Sequence, residues 1–281
     1  MAAAGLCFVF VAVLVRWVGT ELSAPQAAFI RYLFGTLMLA PVFFRIARKE
    51  LRVAAPGLMV VRGVAHGIGV ILWFYGMARI PMAEVTAIGY LTPVVVTVAA
   101  AIFLGERLQA RRLIAVVVGF IGVLIILRPG FQSISAGQLA LLGTTPLFAL
   151  SFIMTKKLTE TDSNTVIVAV LSFICTVTLF FPAVFSWSHV SMREYVLLFL
   201  TACCATLGHF TLTQALRYAP ITALQPVTYL QLIWATLLGV LLFGDVIDFY
   251  VVLGGAVLVL STTYIAHRES VIAKKEAAGS S

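Results

Sequence analysis

The sequence predicts an all-α integral membrane protein: ten transmembrane helices arranged as two inverted five-helix repeats. Three observations predict it. The 281 residues are 62% hydrophobic and only 11% charged, against about 45–50% apolar and about 25% charged in an ordinary soluble domain. Lys and Arg collect in alternate loops. Finally, one stretch of sequence occurs twice, 139 residues apart.

A helix crossing about 30 Å of hydrocarbon needs roughly 20 mainly apolar residues. Breaks at charges, prolines and polar clusters leave ten such runs: 2–18, 26–47, 57–80, 84–104, 112–128, 137–156, 164–186, 194–217, 220–243 and 248–267. The loops between them are short, which leaves no room for a soluble domain.

With the amino terminus in the cytoplasm, the inside segments carry Arg45, Arg48, Lys49, Arg52, Arg107, Arg111, Arg112, Lys156, Lys157, Arg217, Arg268, Lys274 and Lys275. The outside segments carry Arg79, Arg128 and Arg193. Thirteen against three is the positive-inside bias. It predicts an inner-membrane protein with both termini cytoplasmic. It also accounts for the net charge of +8 without nucleic acid, whose binding needs basic side chains gathered on one polar face. Arg16, Arg31 and Arg62 fall within spans. Arg16 and Arg31, near outer span ends, read as side chains that snorkel to the headgroups.

"IPMAEVTAIGYLTPVVVTVAAAIFLGER" (80–107) and "APITALQPVTYLQLIWATLLGVLLFGDV" (219–246) are the repeated stretch. In one ungapped register Pro81 falls on Pro220, Tyr90 on Tyr229, Thr97 on Thr236 and Gly105 on Gly244. The copies lie five spans apart, so the second must run upside down. Charge agrees: "ERLQARR" follows the first copy and is basic, whereas "DVIDF" follows the second and has no Lys or Arg. The predicted halves are 1–130 and 137–268, with 269–281 as a cytoplasmic tail. Inverted halves suit alternating access around a central site.

Polar side chains within spans are costly against lipid and should face protein or water. Thr86, Tyr90 and Thr97 share one face of the fourth span with Pro93; Gln225, Tyr229 and Thr236 share one face of the ninth. Arg62, His66 and Trp73 share a face of the third span, and Thr206, His209 and Thr213 a face of the eighth. These twelve residues are the candidate substrate-binding set. The competing reading is that they bond neighbouring helices across packed interfaces. Gly63 with Gly67, and Gly119 with Gly122, read as close helix packing. Pro41, Pro93, Pro146 and Pro226 interrupt spans and mark kinks.

The motifs themselves resemble a known family. "RYLFGTLMLAP", "FYGMARIPMAEVTAIGYLTPVVVTVAAAIFLGERL" and "GFIGVLIILRPG" look like the first EamA unit of the drug/metabolite transporter superfamily. "TQALRYAPITALQPVTYLQLIWATLLGVLLFGDVI" with "LGGAVLVLS" looks like the second. The resemblance covers about 1–268 and implies ten helices, inverted halves and transport of small metabolites. The nearest members it suggests are the YddG-like exporters of aromatic and bulky neutral amino acids. It leaves open import of a vitamin or S-adenosylmethionine-like metabolite, and proton-coupled antiport.

An enzyme is not expected. The eleven acidic residues lie at span ends or in loops, no nucleophile has an evident base, and no G-x-x-x-x-G-K-[ST] loop is present. No cofactor or metal is implied. A non-transporting membrane assembly subunit is the remaining class, and its polar stripes would have no solute to meet. With no acidic residue deep in a span, the expected mode is facilitated diffusion of a neutral or zwitterionic solute. His66 and His209 are the groups able to relay a proton instead.

Overall fold

The computed structural model describes residues 1–48, 51–92, 94–96, 98, 110–131, 133–218 and 230–279, with backbone alone for 110–113, 115, 262, 265–266, 268–270 and 272–279. Its elements are α1 (Ala2–Val18), α2 (Ala24–Met38), α3 (Ala40–Ala47), α4 (Pro56–Met77), α5 (Met82–Gly89), α6 (Ala110–Leu127), α7 (Ala136–Thr161), α8 (Asn164–Phe185), α9 (Met192–Tyr218), α10 (Leu230–Phe243) and α11 (Phe249–Gly279).

Four helices, α4, α7, α8 and α9, are long and apolar enough to cross a membrane by themselves. The α2–α3 pair passes the same test as one span bent by 55°. Shorter apolar helices include Ala2–Val18, Leu230–Phe243 and Phe249–Ser261. Large apolar side chains such as Phe181, Leu241 and Leu260 cover the outer surface. A water-soluble monomer does not present such a surface; a lipid-embedded one does.

The bend falls where the sequence places Pro41. Proline has no N–H to give to the carbonyl of Leu37 and its ring crowds that carbonyl. The Leu39 N–H instead bonds back to Gly35 and Thr36 carbonyls at 3.2 and 3.1 Å, which closes α2. The span read over 26–47 is therefore an elbow, with its bend beside Pro41 as the sequence implies. Pro146 behaves differently. It lies inside a continuous α7, and the carbonyl of Leu142 that it leaves free accepts from Thr145 Oγ1 at 2.8 Å. Pro93 and Pro226 lie outside the described residues.

Polar side chains set several helix starts. Ser23, Ser135 and Ser163 each accept an N–H from the first turn of α2, α7 and α8. At α7 the Gln138 side chain also takes the Ser135 N–H, completing a capping box. The last helix runs further than the sequence implies. The segment 269–281, read as a separate tail, continues α11 as far as Gly279.

Helices pair across the two halves of the chain. α1 packs on α9, α4 on α7, α2 on α8, α6 on α11 and α5 on α10. Secondary pairings are α4 with α8, α2 with α9, α1 with α10, and α5 with α7. Glycines allow the closest approaches. A Cβ on Gly63 would stand 2.5 Å from Ile174 Cγ2, and one on Gly254 would stand 2.5 Å from the Gly122 carbonyl oxygen. The packing role expected of Gly63 and Gly122 is what their surroundings display.

Candidate functional site

α4 brings Arg62 and His66 onto one face, one helical turn apart. Both are buried, Arg62 at 3% exposure. The His66 ring stacks on Phe148 of α7 at 5.0 Å and 27°. Its Nδ1 lies 3.1 Å from Ser151 Oγ. Tyr32 of α2 meets it edge-on at 6.3 Å. On its remaining side His66 meets His209 of α9 at 5.1 Å and 74°, and His209 in turn meets Phe8 of α1 at 5.2 Å. Five helices therefore converge on two imidazoles and three other aromatic rings.

Beside this cluster lie two guanidiniums. Arg62 Nη1 donates to the Ile167 carbonyl of α8 at 3.1 Å, and Arg62 Nε is buried with no partner among the described residues. Arg31, 4% exposed, lays its guanidinium 3.7 Å from the Tyr32 ring centroid, a cation–π contact. Snorkelling, expected from its place near a span end, does not describe it. Cys175 completes this wall and donates from Sγ to the Gly63 carbonyl at 3.3 Å.

The other candidates fall into separate places. Thr206 lies on α9, and a Cβ on Gly35 of α2 would stand 3.5 Å from its hydroxyl. Thr213 is buried and donates to the His209 carbonyl one turn back at 2.7 Å. Trp73 is partly buried against the apolar core and meets the Phe74 ring at 5.8 Å. Thr86 donates back to the Met82 carbonyl at 2.9 Å. Tyr90 is buried, and its hydroxyl accepts the Leu232 N–H of α10 at 3.0 Å. The tyrosine hydroxyl is thus engaged in bridging α5 to α10. Thr236 is half-buried on α10. Thr97, Gln225 and Tyr229 lie outside the described residues, so the proposed pairing of Tyr90 with Tyr229 has only its first member in view.

Sequence reasoning missed Phe8, Tyr32, Phe148, Ser151 and Cys175. Each sits in an apolar run without a polar stripe of its own, and only the packing of distant helices brings it to the histidines. Arg16 was also misjudged. It forms a two-pronged ion pair with Asp245 at 2.7 and 2.6 Å, and Met82 N–H adds a third bond to that carboxylate at 3.1 Å. Arg128 pairs in the same region with Asp248, and Gln138 with Glu84. Among the described residues no group of three His, Cys, Asp or Glu side chains is placed to hold a metal ion.

A solved structure covering 95% of this chain and 99% of its own superposes with a TM-score of 0.62 at 16% identity, a likeness of fold. Among curated proteins, the S-adenosylmethionine uptake transporter of Rickettsia bellii is 26% identical over 92% of this chain and 88% of its own length. The riboflavin transporter of Rhizobium johnstonii is 29% identical over 96% of this chain and 90% of its own, and that of Vibrio cholerae 27% over 98% and 94%. These names depart from the amino-acid export that the resemblance first suggested. The EamA-like transporter family model matches residues 1–128 and again 135–266. An apolar helical chain with a buried polar cluster at its centre, matched twice over nearly its whole length, is a membrane transporter of the EamA-like family.

Proposed function

We propose that this chain takes up a small heteroaromatic metabolite, of the vitamin or S-adenosylmethionine type, across the bacterial inner membrane by alternating access. The observation that carries the reading is that the relatives reported above, aligned over nearly the whole chain, are named for S-adenosylmethionine uptake and riboflavin transport. The ring-lined cluster of Phe148, His66, His209 and Tyr32 supports it, since flat π-systems stack on such faces. Uptake of this class replaces amino-acid export as the favoured reading.

The alternating-access part rests on ten spans in two inverted halves with both termini cytoplasmic. The helix pairing supports it. Exchange α1 with α7, α2 and α3 with α8, α4 with α9, α5 with α10, and α6 with α11. The α1–α9 contact then becomes α7–α4, α2–α9 becomes α8–α4, and α1–α10 becomes α7–α5, all of which occur. The α2–α8, α5–α10 and α6–α11 contacts map onto themselves. His66 and His209 come from exchanged helices and meet near the proposed axis.

The test is uptake into proteoliposomes of purified protein with labelled riboflavin, S-adenosylmethionine and aromatic amino acids. Saturable flux of a heteroaromatic solute is expected. Flux of amino acids alone would restore the export reading. Flux with pH and sodium matched on both sides is expected of a facilitator. The His66–His209 pair favours one alternative, proton coupling; accumulation driven by a proton gradient and lost in His66→Ala would establish that instead.

A further inference from the structure

Arg31 and Arg62 are both more than nine-tenths buried, and both lie within electrostatic reach of Tyr32, Cys175, His66 and His209. Guanidinium groups stay protonated in proteins, so neither cation can escape burial by giving up its charge. Buried charges are retained where a counter-charge meets them. Here none does among the described residues. Asp162 is taken by the Ala54 N–H, Glu194 by the Ser191 N–H, Asp245 by Arg16, Asp248 by Arg128 and Glu84 by Gln138. Glu21 and Glu160 are exposed. The side chains of Glu50, Glu106, Glu269 and Glu276 lie outside the described set. Among the described residues Arg62 Nε has no partner, and its guanidinium bonds to a carbonyl. Arg31 lies over the Tyr32 ring.

We propose that Arg31 and Arg62 form an anion subsite of the transport site, which takes an oxyanion of the solute, a carboxylate, while the solute's ring lies against His66 and Phe148. The inference rests on the uptake reading and narrows its substrate class to heteroaromatic metabolites that carry negative charge. The fork of N–H donors on a guanidinium matches a carboxylate's two oxygens. Arg62 and His66 are one turn apart, a rise of about 6 Å, so the carboxylate stands close to the ring rather than at the end of a long tail. A solute with net positive charge finds two like charges here and no described acid to offset them. This revises the neutral or zwitterionic solute that the absence of deep acidic residues suggests.

The experiment uses purified full-length protein and matched ligand pairs: nicotinate against nicotinamide, and riboflavin 5′-phosphate against riboflavin, with S-adenosylmethionine as the cationic arm. Binding is read by thermal shift in detergent, and transport by uptake into liposomes. In the unmodified protein the carboxylate member of the first pair should bind at least about tenfold tighter than its amide, a factor one charge-assisted bond supplies. In Arg31→Gln and Arg62→Gln the ratio should fall towards one. The matched pairs in the unmodified protein decide the matter even if both variants fail to fold. Equal binding of charged and uncharged members, or a preference confined to the phosphate, overturns the carboxylate subsite and leaves the uptake reading standing. A preference that survives in both variants overturns the assignment to these arginines. No binding or uptake of any member overturns the uptake reading, and the subsite with it.

Discussion

Arg16 grips both carboxylate oxygens of Asp245, 229 residues away, at 2.7 and 2.6 Å. The pair joins the last turn of α1 to the turn between α10 and α11. The Met82 N–H at the start of α5 donates to the same carboxylate, and the Phe243 ring lies 4.7 Å under the guanidinium. In the proposed topology this clasp closes the outer face.

Breaking the clasp should therefore change both stability and access. Arg16 and Asp245 side chains are 18% and 9% exposed, and removing one partner of a largely buried pair costs about 3 kcal/mol. Arg16→Gln and Asp245→Asn are each expected to lower the melting temperature in detergent and to raise labelling of an outer-facing cysteine by an impermeant reagent. A double-mutant cycle should return a coupling of about 1–3 kcal/mol.

Tyr90→Phe should lower stability at the α5–α10 contact, because it removes the hydroxyl that accepts the Leu232 N–H, and Tyr90→Ala should lower it further by also removing a buried ring. The loss of one hydrogen bond of this kind costs about 1 kcal/mol. A thermal melt decides it: normal stability in the Phe variant would return Tyr90 to the role of a cavity wall.

Glycine substitutions should sort by what their Cβ would meet. Gly254→Ala drives a methyl against a backbone oxygen, and Gly63→Ala drives one against Ile174. Overpacking of this kind costs about 1–3 kcal/mol. Gly57, with nothing within 4 Å, should accept alanine with no loss of expression or melting temperature. Ile174→Ala should rescue Gly63→Ala, and no side-chain change should rescue Gly254→Ala.

Topology is open to direct test. Single cysteines at Arg48 and Ser133 should give opposite results with an impermeant thiol reagent applied to intact cells, 133 labelled and 48 protected. The reverse pattern would sink the charge-based orientation.

Much of the fold was legible because lipid imposes a simple rule, long apolar runs bounded by charge, and because Pro and Gly punctuate it. The Arg62–His66 and Thr206–His209 faces were legible for the same reason, as polar groups that lipid rejects. Their partners were not. Nothing local to Phe148 or Ser151 says that α7 will lie along α4, and nothing near Arg16 points to Asp245. Position along a span suggested that Arg31 reaches for headgroups, whereas the packing of α2 against α8 and α9 turns it inward. Local pattern tells which face of a helix avoids lipid; which distant helix meets that face depends on the assembled bundle.

The backbone contact between α6 and α11 carries a consequence for anyone measuring motion. A Cβ on Gly122 or on Gly254 would collide with the other glycine's carbonyl oxygen, at 2.9 and 2.5 Å, so these two helices touch main chain to main chain. Neither can slide or rotate against the other without opening a gap or colliding. A pair of spectroscopic labels placed one on each should thus report a constant separation through the whole transport cycle, an internal ruler against which the displacement of every other helix can be read.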